Sequence, residues 1–138
     1  MLFRSVASAY DLGTVYLTQN GKREDDFTPY VWKSTDFGRT WTSLAKGIPV
    51  GPVNVIREDP VDAKILYVGT DMGVYASLDG GQTWTVLGRG LPTVYVHDLI
   101  VHPRDNIVVI ATHGRGMWAL DADKVNAKPS RRRFYFED

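Results

Sequence analysis

Apolar and polar positions alternate along this chain in short runs, and none of the runs lengthens into a stripe of helical period. Across residues 51–93 the β-branched and aromatic runs are Val53-Asn54-Val55-Ile56, Ile65-Leu66-Tyr67-Val68-Gly69, Gly73-Val74-Tyr75-Ala76-Ser77 and Thr83-Trp84-Thr85-Val86-Leu87. Each reads as a strand, because alternation with a period of two places one set of side chains on each face of a sheet. Pro60-Val61-Asp62-Ala63, Asp71-Met72-Gly73 and Asp79-Gly80-Gly81 separate the runs. These residue types favour tight reversals, so consecutive strands are predicted to pair antiparallel as a four-stranded meander. The same reading fits the flanking stretches. Residues 1–50 hold Phe3–Ala9, Thr14–Thr18, Tyr30–Ser34 and Thr40–Leu44, with an insertion at Gly21–Asp26. Residues 94–138 hold Val96–Val101, Ile107–Ala111 and Gly116–Leu120, with Arg133–Phe136 as a late fourth strand.

The three stretches are repeats. Ser34, Asp36, Gly38, Thr40 and Trp41 recur at identical spacing as Ser77, Asp79, Gly81, Thr83 and Trp84, an S-x-D-x-G-x-T-W pattern offset by 43 residues. The same offset links Asp59-Pro60 to His102-Pro103, Gly73 to Gly116, Tyr75 to Trp118 and Ala76 to Ala119, so a third unit lies downstream without the pattern. A period of about 40 to 50 residues with four strands per unit is the make-up of a β-propeller blade. The predicted fold is all-β: three four-stranded antiparallel blades over about 1–50, 51–93 and 94–138.

Composition narrows the partners. Sixteen Lys and Arg balance sixteen Asp and Glu, which removes any broad attraction for nucleic acid or an anionic membrane. There is no cysteine, hence no disulfide or thiolate metal site, and no metal or cofactor motif is present. The opening MLFRSVASAY has no apolar core of secretory length, and no run approaches the roughly 18 apolar residues of a membrane-spanning helix. That opening suits a natural start or a cut within a longer protein.

The S-x-D-x-G-x-T-W pattern resembles the Asp-box, or BNR, repeat of sialidases, sortilin-type receptors and related bacterial propellers, and the resemblance covers nearly the whole chain. The stretch from Gly69 through Leu91–Asp98 to Ala111–Trp118 looks like the end of the propeller in large bacterial sortilin-like proteins often labelled glycosyl hydrolase. The box itself is read as a hairpin staple rather than a calcium or sugar site. Asp36 and Asp79 accept backbone N–H bonds, Gly38 and Gly81 supply positive φ, Ser and Thr add local bonds, and Trp41 and Trp84 open the next strand by packing between sheets.

In a blade whose strands run A to D outward from the axis, the boxes are C–D loops. They lie opposite the face carrying the B–C and D–A loops, where Asp71, Arg89, Tyr95, His97, His113 and Arg115 concentrate the groups able to grip a ligand. Against this stand simpler roles: His113-Gly114-Arg115-Gly116 as a tight turn with Arg115 bonding a neighbouring blade, and His97 satisfying a backbone partner. The expected function is a non-enzymatic scaffold or recognition module binding a protein, peptide or glycan on that face. The alternative is a fragment of a sialidase-like or other glycoside hydrolase. Glycosidases need two carboxyl groups flanking the bond. Glu24, Glu58 and Glu137 sit in no recognisable setting, while Asp71 and Asp98 face the axis without a spacing that shows them converging.

Three blades cannot close a propeller, which takes about 4 to 8. The expected resolution is either a larger propeller chain or a homodimer, with Arg131–Asp138 latching the third blade or trailing as a tail.

Overall fold

The computed structural model describes every residue except 50, 89, 90, 92, 123–135 and 138. Three four-stranded antiparallel sheets follow one another along the chain, each a meander in sequence order. The first comprises β1 (Leu2–Ala7), β2 (Val15–Gly21), β3 (Asp26–Ser34) and β4 (Thr42–Ser43). The second comprises β5 (Val53–Glu58), β6 (Leu66–Thr70), β7 (Gly73–Ser77) and β8 (Thr85–Leu87). The third comprises β9 (Val96–His102), β10 (Ile107–Thr112), β11 (Met117–Asp121) and β12 (Phe136–Glu137).

The strands differ from the predicted runs mainly at their ends. β4 and β8 are shorter than expected, because the boxes hold Thr40-Trp41 and Thr83-Trp84 in their turns and release the chain for pairing only at Thr42 and Thr85. β3 is longer, starting at Asp26, and the Gly21–Asp26 insertion contains a single 3-10 turn at Lys22–Glu24. The outermost strand of the third sheet is Phe136–Glu137, paired with Ala119 and Leu120, while Arg133 lies outside the described residues.

Register assigns each residue to a face, and the faces form the core. Ile56 lies opposite Val68, which lies opposite Tyr75, and these join Leu66 and Trp84 against Tyr16, Val31, Leu44 and Ile48 of the first sheet. The other face of the second sheet turns Val55, Tyr67, Val74 and Ala76 toward Val96, Leu99, Ile110 and Leu120 of the third. The middle sheet is thus buried on both sides, and its β6 and β7 are buried from end to end. Burial pushes the Tyr16 phenol up to about 12, with the Glu58 carboxylate adding to the effect.

Polar bonds lock the same interfaces. The Trp84 indole donates to the Leu44 carbonyl at 2.8 Å across the first interface. On the same rim, nearer the axis, the Tyr10 hydroxyl donates to the Asp59 carbonyl at 2.6 Å. The Asp59 carboxylate, fully buried, accepts from the backbone N–H groups of Val61 and Asp62 and from the Tyr67 hydroxyl. A buried carboxylate with three donors is satisfied, and its turn is fixed. His102, its counterpart in the third sheet, accepts the Asp105 N–H through Nδ1 at 3.2 Å, so the same turn is made by a different side chain.

Trp41 departs from expectation. It is 39% exposed, against 8% for Trp84, and its indole N–H bonds the Gly38 carbonyl of its own turn at 3.0 Å. The reason is positional: Trp84 packs on the sheet before it, and the described chain places no sheet before the first.

Close packing makes two substitutions informative. Trp84→Ala is expected to cost about 3–5 kcal/mol in urea unfolding, as for large core truncations; a loss below about 1 kcal/mol would refute its packing role. At Gly69 an added Cβ would lie 2.6 Å from Val96 Cγ1 and 2.7 Å from Val55 Cγ1. Gly69→Ala should therefore destabilise by about 1–3 kcal/mol through overpacking between the second and third sheets.

Candidate functional site

The two box turns are built alike. Ser34 donates to Asp36 Oδ1 at 2.8 Å and Thr40 to Oδ2 at 2.6 Å, while the Thr40 N–H reaches Oδ1 at 2.8 Å. Ser77, Asp79 and Thr83 repeat the arrangement at 2.8, 2.6 and 2.9 Å. Gly38 and Gly81 accept positive φ of 85° and 94°, and an added Cβ at Gly81 would meet Leu44 Cδ1 at 2.8 Å. Three hydrogen bonds to each carboxylate hold Asp36 and Asp79 down at about 2. The serine, threonine and aspartate side chains of each box are thus spent on one another, which describes a staple.

The opposite rim is different in kind. There β2, β6 and β10 end, and β3, β5, β7 and β9 begin, so loops from all three sheets converge near the axis. Tyr95 and His97 lie with near-parallel rings, centroids 6.2 Å apart, and His113 meets Tyr95 edge-on at 6.0 Å. The main chain fixes this grouping, since the His113 N–H donates to the Tyr95 carbonyl at 3.0 Å. The Lys22 ammonium stands 5.0 Å from the Tyr95 ring centroid and 3.3 Å from the Asp71 carboxylate. Asp71 also accepts from the Asn54 amide at 2.9 Å, and the same amide nitrogen bonds the Val96 carbonyl at 3.0 Å. The Asn20 amide donates to the Asn54 side-chain oxygen, completing a polar chain that crosses from the first sheet to the third.

Beside this cluster opens a cleft of about 250 Å³ lined by Leu2, Phe3, Arg4, Asn20, Asn54, Tyr95 and His97 among others. Deeper along the axis, Arg4 of the first sheet and Arg57 of the second bracket Asp98 of the third at 3.2 and 3.3 Å. Arg4 also donates to the His97 carbonyl at 3.3 Å. One side chain of the first sheet thus reaches the third, so the three inner strands share an axis.

Of the residues singled out in the sequence, Asp71, Tyr95, His97 and His113 are brought together. Arg89 lies outside the described residues. Arg115 is exposed and contributes its carbonyl to the Trp118 indole at 3.1 Å; among the described residues no hydrogen bond or ion pair ties its guanidinium to the cluster or to a neighbouring sheet. Asp71 and Asp98 are held apart from each other, Asp71 by Lys22 and Asp98 by Arg4 and Arg57. Lys22, Asn20, Asn54 and Arg4 were missed. Lys22 carried a usable signal, because the 21–26 insertion is itself a B–C loop on this rim.

No family model matches the chain, and no curated protein matches it. Solved structures do. The GH74 xyloglucanase from Xanthomonas campestris superposes with a TM-score of 0.70 at 20% identity, over 90% of this chain and 21% of that one. An ancestral GH74 enzyme gives 0.71 at 17% identity, over 96% and 17% of the two chains. The fold is that of a β-propeller segment. The GH74 enzyme of Niastella koreensis agrees, with a TM-score of 0.68 at 20% identity over 88% of this chain and 20% of that one. The segment thus spans about a fifth of the length of the propeller enzymes it matches.

The box carboxylates give a pH prediction. Their folded values of about 2 lie below the ordinary 3.8, so their stabilisation is fully present above about pH 4 and is lost as pH falls toward 2. The melting temperature should drop across that window. Asp36→Asn/Asp79→Asn should flatten the drop, and an unchanged slope would show that other groups govern acid unfolding.

Proposed function

We propose that this chain supplies blades of a carbohydrate-active propeller and that its axial rim holds a polysaccharide against the Tyr95–His97 ring pair. The observation that carries this reading is the composition of that rim. A flat ring surface lies beside an open cleft, with Lys22, Asn20 and His113 at its margins. A pyranose presents an apolar face of C–H groups and an edge of hydroxyls, and such a surface meets both. The matched propellers are GH74 enzymes, one of them a xyloglucanase. This favours the hydrolase alternative over a non-enzymatic scaffold or peptide-recognition module, and suggests a β-glucan such as xyloglucan as ligand.

Within that reading the described residues bind and do not cleave. Glycoside hydrolysis requires two carboxyl groups flanking the bond, and among the described residues the cleft is lined by none. Asp71 is engaged by Lys22 and Asn54, and Asp98 by two arginines. Catalytic carboxyls then come from other blades. The S-x-D-x-G-x-T-W turns support a finer assignment to Asp-box (BNR) propellers of the sortilin-like bacterial kind, resting on residue spacing and the shared hydrogen-bond pattern.

Calorimetric titration with xyloglucan oligosaccharides should show saturable binding. Tyr95→Ala should weaken it by at least about tenfold, or about 1.4 kcal/mol. Absence of binding to any member of a broad glycan array would sink the reading. Glycoside turnover abolished by Asp98→Asn would place chemistry in this chain after all.

A further inference from the structure

The hairpin joining β2 and β3 is longer than the blade requires. In the first sheet Tyr16 pairs with Lys33, while in the second the equivalent pair is Tyr67 with Ala76, closer together in the chain. The added length carries the chain to the Lys22–Glu24 turn on the axial rim. Two register slips shape what it meets there. The β2–β3 pairing shifts at Asn20, and the β5–β6 pairing shifts at Asn54. A bulge re-aims a side chain out of the regular alternation, and both amides enter one circuit. The Lys22 backbone N–H donates to Asn20 Oδ1 at 2.9 Å. Asn20 donates to Asn54 Oδ1, and Asn54 donates in turn to Asp71 Oδ1 at 2.9 Å. Asp71 Oδ2 then stands 3.3 Å from the Lys22 ammonium, which closes the circuit on the residue where it began.

A lysine on a surface turn ordinarily samples many rotamers. This one is held at both ends, its backbone by Asn20 and its tip by an Asp71 side chain that is only 12% exposed. The tip is thereby fixed 5.0 Å from the centroid of the Tyr95 ring. Tyr95 needs that support. Among the described residues no hydrogen bond holds its hydroxyl, and the groups recorded against the ring are His97, His113 and the ammonium. Both histidines are exposed, and among the described residues neither has a side-chain hydrogen bond of its own. Of the three, the lysine is the one anchored through its side chain.

We infer that Lys22 is a positioning residue of the candidate site: it fixes the Tyr95 ring as a preformed platform for the polysaccharide without itself contacting the ligand. A ring ordered in advance removes a cost that binding would otherwise bear. The inference rests on the carbohydrate reading for what the ring holds, whereas the fixing of the ring is a property of the free chain.

Lys22→Met removes the charge at similar length, and Lys22→Arg keeps it. NMR relaxation of carbon-13-labelled tyrosine rings should show Tyr95 in one rotamer in the parent chain and in Lys22→Arg, and averaged over rotamers in Lys22→Met. Affinity for xyloglucan oligosaccharides should fall about two- to fivefold in Lys22→Met, the scale of one cation–π contact, and return to the parent value in Lys22→Arg. If the uncompensated Asp71 carboxylate unfolds Lys22→Met, the double variant Lys22→Met/Asp71→Asn removes both charges and gives the same two readouts. A Tyr95 ring as ordered in the Met variant as in the parent would overturn the inference. Binding lost while the ring stays ordered would overturn it too, since Lys22 would then touch the ligand itself. A freed ring in a chain that binds no glycan upholds the positioning role and defeats the carbohydrate reading alone.

Discussion

A twisted four-stranded sheet that is apolar on both faces cannot stand alone in water, and this requirement organises the molecule. A strand buried on both faces loses its polar alternation, which is why Leu66–Thr70 and Gly73–Ser77 are wholly buried while the outer sheets keep one half-wet side. Apolar burial supplies the drive at about 25 cal/mol per Å². Direction comes from a few polar bonds placed at the rims: the Trp84 indole on the Leu44 carbonyl at the outer edge, and Tyr10 on Asp59 at the turn edge. Together they set how far each sheet rotates on its neighbour, and so where the inner strands meet.

The division of labour between the two rims follows. Each box turn spends its side-chain oxygens on itself, the aspartate saturated by its own serine and threonine. The axial rim distributes its polar groups between sheets, so that Asn20, Asn54, Asp71 and the Val96 carbonyl form one chain of contacts. A self-contained turn tolerates displacement of its neighbours, whereas a network spanning three sheets holds its geometry only while all three keep their mutual angle.

How much of this could be read from the sequence depended on the range of the interaction. The repeat, the four strands per unit and the box chemistry are local or periodic, and S-x-D-x-G-x-T-W with its 43-residue echo carried them. Strand ends were less legible, because box residues that look like strand formers are held by their own turn. The fate of Trp41 depended on whether a sheet stood before it, which no local pattern contains. The site was half visible: alternation placed Tyr95, His97 and His113 on one rim, but Lys22 approaches Tyr95 from more than seventy residues earlier in the chain. Arg4 reaches Asp98 over a longer separation still.

One detail of the rim reaches beyond this molecule's own chemistry. Tyr95 is held by its carbonyl, which takes the His113 N–H, and the next carbonyl, that of Val96, takes the Asn54 amide. Backbone groups do the anchoring on the Tyr95 and His113 side, so the rings attached there are replaceable without disturbing the frame. A lineage could exchange the side chains at these two positions in single steps and move from one ligand to another while folding the same blades. The scaffold is thereby insulated from the evolution of what it recognises.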